Sequence, residues 1–119
     1  MRTYIYAILF ALTASTGFAQ NLSNQKATVV WVKGDCNYSI LEYDGWFHVA
    51  EKINAASRIN KGDVIQGIIF AQNTSNYTNL ITNEKFFLKV DKRYKSKIKA
   101  LDDVARRKKC TITKEDYAQ

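Results

Sequence analysis

The chain has few of the residues from which catalytic and metal sites are built. Its 119 residues include one histidine, two cysteines, five glycines and no proline. One histidine and two cysteines leave too few good ligands for a zinc or other transition-metal site. A glycine-rich phosphate loop, a nucleophile elbow and a calcium loop are also missing from the sequence. The sequence therefore predicts a protein that is not an enzyme and that uses no cofactor.

His48 is the single candidate for a general base. A general base needs a partner that orients it and a nucleophile or water within reach. The hairpin register predicted below places Glu42 and Glu51 on the opposite strand face, and Asp44 in the turn. We therefore expect His48 to be an ordinary strand residue, and a small secreted hydrolase is the least favoured function.

The only long apolar stretch lies at the N-terminus. Arg2 precedes an apolar segment at residues 4–12, and Gly17 and Ala19 supply small residues before a cleavage site. This pattern is typical of a cleaved secretory signal peptide over residues 1–19, with an uncleaved membrane anchor as the alternative. No later segment approaches the ~20 apolar residues that a transmembrane helix needs. We expect an exported protein, periplasmic or secreted, with no transmembrane segment after cleavage.

The two cysteines, Cys36 and Cys110, both follow the predicted signal peptide. In an oxidising compartment an even number of cysteines predicts a disulfide, and a pair of free thiols is the alternative. Such a bond would close a loop of about seventy residues and stabilise the fold by roughly 4 kcal/mol.

The region after the signal peptide predicts one small β domain. We expect a flexible leader at residues 20–26, a single barrel-like domain with a C-terminal helix at 27–110, and a flexible tail at 111–119. Asp44-Gly45 is a strong hairpin signal between the runs 36–43 and 46–52. A two-residue loop pairs Tyr43 with Trp46 and leaves apolar residues on both faces, which indicates a sheet that is covered on more than one side.

The stretch NKGDVIQGIIF at residues 60–70 predicts the central strand. Lys61-Gly62-Asp63 is a turn signal, and the β-branched residues that follow favour a strand. Gly67 inside that strand predicts a bulge or a sharp bend that curls a small sheet. Residues 72–79 have no apolar period and predict a polar loop.

The last part of the chain predicts a strand followed by a helix. Phe86, Leu88 and Val90 alternate with polar residues as in a half-buried strand. The helix is indicated by an apolar stripe at helical spacing and by Ser96 as its N-cap. The stripe consists of Tyr94, Ile98, Leu101 and Ala105.

Five short strands and a C-terminal helix predict a mainly β fold that resembles a five-stranded OB-like barrel, with an SH3-like barrel as the alternative. The resemblance rests on the segment KGDVIQGIIF and on the strand count. With its paired cysteines, the chain also resembles small exported bacterial OB-fold-like domains of unknown function. OB-type barrels bind oligonucleotides and oligosaccharides on one sheet face.

Positive charge is concentrated near the end of the chain. The whole chain has a net charge of +7, and residues 85–109 hold 11 basic and 3 acidic residues. This pattern suggests either a solvated surface that binds nothing or a surface for a polyanion such as nucleic acid or an anionic glycan. The candidate basic residues are Lys85, Lys89, Lys92, Arg93, Lys97, Lys99 and Arg106.

A protein partner is the second hypothesis for function. Aromatic residues, including Tyr43 and Trp46, cluster around the predicted hairpin tip. They suggest either core packing or a contact surface of the kind found on a periplasmic inhibitor or immunity-type protein.

Overall fold

The computed structural model of the chain describes residues 25–53, 58–69, 74–107 and 110–119. The predicted signal peptide at residues 1–19 and most of the predicted leader lie outside the described residues. The elements, in chain order, are β1 (Gln25–Trp31), β2 (Tyr38–Tyr43), β3 (Trp46–Lys52), β4 (Val64–Gly67), β5 (Thr74–Asn79), β6 (Lys85–Tyr94), α1 (Lys97–Arg106) and α2 (Lys114–Ala118).

The strands form one closed antiparallel barrel in the order β1-β2-β3-β6-β5-β4, with β4 paired to β1. The spatial order β4-β1-β2-β3 is that of a Greek key, in which the fourth strand returns to lie beside the first. The prediction of a mainly β barrel with a C-terminal helix is confirmed. The predicted count of five strands is wrong, since the barrel has six.

The additional strand is β5, in the segment for which the sequence predicts a polar loop. Its inward positions are Ser75, Tyr77 and Asn79, and only the tyrosine is aromatic or apolar. Asn79 is fully buried because its side chain donates to Asp63 and accepts from the backbone N–H groups of Ile81 and Thr82. This strand is therefore buried partly by hydrogen-bonded polar residues, and it lacks the alternating apolar residues by which a strand is usually predicted.

The hairpin between β2 and β3 has the predicted register. Tyr43 pairs with Trp46, and Asp44 and Gly45 both have positive φ, as a two-residue type I′ turn requires. Leu41 faces the barrel interior, whereas Ile40 on the opposite face packs under helix α1. The prediction of a sheet covered on both sides is confirmed for this hairpin.

Helix α1 packs against the outer face of β2, β3 and β6. Ser96 caps its start, because the Ser96 side chain accepts a hydrogen bond from the backbone N–H of Lys99 at 3.1 Å. The predicted apolar stripe is wrong in part, since Ile98 is 58 % exposed. The buried apolar residues of the helix are Ala100, Leu101 and Val104.

The C-terminal segment is held against the barrel by covalent and polar contacts. The predicted Cys36–Cys110 disulfide is present, with Cα atoms 5.4 Å apart. Residues 111–119, for which the sequence predicts a flexible tail, contain helix α2 and the buried side chain of Asp116. Asp116 accepts hydrogen bonds from the Trp31 indole and the Lys33 ammonium. These contacts join distant parts of the chain, so the local composition of the tail does not predict them.

Among the described residues, no helix has both the length and the apolar character needed to cross a membrane. The disulfide is compatible with the predicted export.

Candidate functional site

The clearest grouping of predicted site residues lies at the hairpin end of the barrel. The guanidinium carbon of Arg93 lies 4.2 Å from the centre of the Trp46 ring, and the Lys95 ammonium lies 5.2 Å from it. We call Tyr43, Trp46, His48, Arg93 and Lys95 the Trp46 cluster. It joins the aromatic hairpin and the basic strand, which the sequence suggested as two separate surfaces.

A β-bulge in β6 brings Arg93 to the tryptophan. Val90 pairs with Ala50 and Arg93 with His48, so two residues on β6 oppose one on β3. Without the extra residue, the inward alternation of Phe86, Leu88 and Val90 would continue at Lys92. Bulges frequently re-aim side chains near functional sites. Here the bulge places Arg93 on the same sheet face as Trp46 and His48 and leaves Lys92 exposed.

The contact with two cations makes Trp46 a positioning residue. A cation on a tryptophan face is attracted by about 0.5–1 kcal/mol at an exposed site. This attraction restricts the Arg93 and Lys95 side chains and keeps their two positive charges close together.

His48 lies beneath these cations in a buried position. Its Nδ1 has no hydrogen-bond partner among the described residues, and its ring centre lies 6.5 Å from that of Tyr43. Burial, followed by the charge of Arg93, holds the pKa of His48 below its usual value of 6.5. The imidazole is therefore neutral at neutral pH, and the charge of the cluster comes from Arg93 and Lys95.

A second basic surface lies on the outer face of β5 and β6. Lys85, Phe87 and Lys89 point outward from β6, whereas Phe86 is buried in the barrel. Phe87 is 44 % exposed and pairs with Asn76, and both lysines pair with threonines of β5. We call Lys85, Phe87 and Lys89 the Phe87 face. An exposed aromatic ring between two cations is an arrangement suited to an anionic polymer with planar groups.

The basic residues of helix α1 are partly neutralised. Arg106 pairs with Asp103 at 3.4 Å, and Arg107 pairs with Asp103 at 3.1 Å and with Asp91 at 2.6 Å. Burial alone would raise the pKa of Asp103, but hydrogen bonds from Arg107 and Tyr94 keep the pKa below its ordinary value, so the carboxylate stays charged.

Two further basic residues of α1 complete the predicted set. Lys97 donates to the backbone carbonyl of Gln119, and Lys99 is exposed. The basic stretch predicted as one surface is thus divided between the strand and the helix.

Sequence reasoning did not single out two residues of these surfaces. Lys95 was one of many lysines in the basic run, and its place over Trp46 depends on how β3 and β6 pair. Phe87 could have been found from the sequence, because the alternation of Phe86, Leu88 and Val90 places it on the outward face of the strand. Among the described residues, no group of three His, Cys, Asp or Glu side chains is placed to hold a metal ion.

No protein-family model, no curated protein and no solved structure matches this chain.

Proposed function

We propose that this chain is an exported, non-catalytic module that binds an anionic polymer, either nucleic acid or an anionic glycan. The observation that carries the proposal is the pair of cations that Trp46 holds together, Arg93 and Lys95. They lie at and just after the end of β6, on the sheet face that continues from the barrel interior, whereas the Phe87 face lies on the outward side of the same strand.

The physical basis of the binding is release of counterions from the polymer. Each phosphate or sulfate that a lysine or arginine neutralises frees condensed cations, so affinity falls steeply as salt rises. Stacking of a planar group on an aromatic side chain adds about 1–3 kcal/mol for a nucleic-acid base. Phe87 is the exposed ring of β6 and is the residue on which such a group would stack.

The resemblance to OB-like domains contributes one argument to this proposal. OB-type barrels bind oligonucleotides and oligosaccharides on an open sheet face. We compare that open face with the outward side of β5 and β6 around Phe87, which is exposed although helix α1 packs against β2, β3 and also β6.

The experiment is retention of the purified, oxidised protein on heparin and on single-stranded DNA across a salt gradient. The test variant is Arg93→Gln with Lys95→Gln. Its matched control is Lys26→Gln with Lys114→Gln, which removes the same charge at exposed positions on β1 and α2. We expect the test variant to elute at clearly lower salt, with the salt slope reduced by about 0.7 for each lost contact to single-stranded DNA.

Two further variants separate the parts of the surface. Trp46→Leu leaves the net charge unchanged and should weaken retention, because the cations lose their support. Phe87→Ser should weaken retention on DNA more than on heparin, because heparin lacks bases that stack. Equal elution of wild type, test and control proteins would contradict the proposal. It would direct attention to a protein partner at the Tyr43–Trp46 hairpin.

A further inference from the structure

A cavity of about 410 Å³ opens at the end of the barrel opposite the Asp44-Gly45 turn. Its walls come from the β1–β2 connection, the start of β2, the end of β3 and residues 58–60. The volume lies within the range of ~300–1,000 Å³ that small-molecule sites occupy. The cavity shares no residue with the Trp46 cluster or the Phe87 face.

A buried hydroxyl without a partner belongs to this cavity. Ser39 is only 4 % exposed, and its Oγ has no hydrogen-bond partner among the described residues. Leaving a buried polar group unpaired costs about 1–3 kcal/mol, so such groups call for an explanation. A ligand atom that accepts a hydrogen bond from Ser39 is the explanation that the cavity provides.

The charged residues that line the cavity are all basic. Lys33, Lys52 and Arg58 line it, and none of the described lining residues is acidic. Lys33 is bonded to Asp116 and to the carbonyl of Thr111, so its charge is offset from outside the cavity. Arg58, which is exposed, contributes a further positive charge, and charges of one sign in a concave site attract a ligand of the opposite sign.

The lining as a whole is mixed, and its polar surface is somewhat larger than its apolar surface. Val32, Tyr38 and Ile59 contribute apolar surface, and the amides of Asn37 and Asn60 add hydrogen-bonding groups. A mixed lining of this kind suits a small organic molecule that has both an apolar part and a polar group. The Cys36–Cys110 disulfide anchors one wall, because Cys36 also lines the cavity.

We propose that this cavity binds a small organic anion, with an apolar body and a carboxylate or phosphate group that meets Ser39 and Arg58. This site is independent of the proposed polymer-binding surface. Neither inference fails if the other does.

The test is an NMR titration of the oxidised, ¹⁵N-labelled protein with phenyl phosphate, benzoate and phenol. Phenol is the neutral analogue, and the two anions distinguish a phosphate from a carboxylate ligand. We expect at least one anion to shift the backbone amides of Asn37, Ser39 and Asn60, and phenol to leave them unchanged. Absence of shifts with both anions, or equal shifts with phenol, would overturn the proposal.

Variants test the named residues. Arg58→Gln should weaken binding of the active anion by roughly tenfold or more, since a hydrogen bond to a charged group contributes ~1.5–3 kcal/mol. Ser39→Ala should weaken binding by roughly threefold to tenfold. Lys26→Gln, at an exposed position that does not line the cavity, should leave the affinity for the anion unchanged.

Ser39→Ala also separates a binding role from a structural one. Because the Oγ has no partner in the free protein, its removal should leave the denaturation midpoint unchanged or slightly raised. A lowered midpoint together with unchanged affinity would show that the hydroxyl is structural, and the proposal would then be wrong.

Discussion

Gly67 shows how one residue can be required by a distant side chain. A Cβ atom at this position would lie 2.4 Å from Cδ1 and 2.8 Å from Cε1 of Tyr77. The sequence predicts a bulge or a sharp bend at Gly67, and residues 25–28 of β1 pair with β4 in regular register, without a bulge. The glycine is needed because the Tyr77 ring packs directly on the backbone. The Tyr77 hydroxyl donates to the carbonyl of Ile68 at 2.5 Å, and burial raises the pKa of Tyr77 to about 12.

We therefore predict that Gly67→Ala destabilises the protein by about 1–3 kcal/mol, the usual cost of overpacking a core. Urea denaturation measures the effect as a lower midpoint. Gly34→Ala is the matched control, because no atom lies within 4 Å of a Cβ there and its φ is not in the left-handed region. A Gly67→Ala midpoint equal to that of Gly34→Ala would refute the role of the Tyr77 contact.

At the scale of elements, the docking of helix α2 depends on one carboxylate. Asp116 accepts from the backbone N–H of Thr113 at 2.7 Å, from Lys33 at 3.0 Å and from the Trp31 indole at 3.3 Å. The Thr113 backbone hydrogen bond is the main cause that lowers the pKa of Asp116 to about 2, with smaller contributions from Lys33, the Thr113 hydroxyl and Trp31.

This lowered pKa predicts how the docking responds to acid. The stabilising contribution is complete above the ordinary pKa of 3.8 and is lost as pH falls through the folded value of about 2. We expect the fluorescence of Trp31 to report release of α2 between these values, because the indole donates to Asp116.

The matched comparison uses two variants on the same helix. Asp116→Asn should show the released state already at neutral pH and should lack the acid transition. Glu115→Gln, at an exposed neighbouring position, should retain the transition of the wild type. An acid transition that persists unchanged in Asp116→Asn would show that another group causes it.

At the scale of the whole molecule, the disulfide connects the β1–β2 loop with the segment after α1. Its cysteines are 74 residues apart, and both pack against the apolar cluster between the helix and the sheet. A small domain buries only about two-thirds of its unfolded surface, so a covalent link has a large share in its stability.

Reduction should therefore lower the free energy of unfolding by about 4 kcal/mol in the chain-entropy model. Denaturation midpoints with and without dithiothreitol measure this difference. The Cys36→Ser, Cys110→Ser double variant should have the midpoint of the reduced protein and should not respond to reductant. If the wild-type midpoint also failed to respond to reductant, the bond would not contribute to stability.

Features that depend on neighbouring residues were predictable from the sequence. Asp44-Gly45 gave the correct hairpin register because a two-residue turn determines which residues pair. Alternation correctly placed Phe86, Leu88 and Val90 in the core, and Ser96 capped the helix as expected. Each of these follows from rules that act within a few residues along the chain.

Features that depend on contacts between distant segments were decided only by the tertiary structure. In strand β5 the buried residues are Tyr77 and Asn79, and Asn79 is hydrogen-bonded to the distant Asp63. An apolar period in the local sequence cannot reveal such a strand. The site depends on a bulge that shifts the register between β3 and β6 and so brings Arg93 over Trp46. The sequence by itself determined the composition of the surface, its charge and its local turns. Only the folded barrel determined which of those charges lie together, because strand pairing depends on contacts across the whole chain.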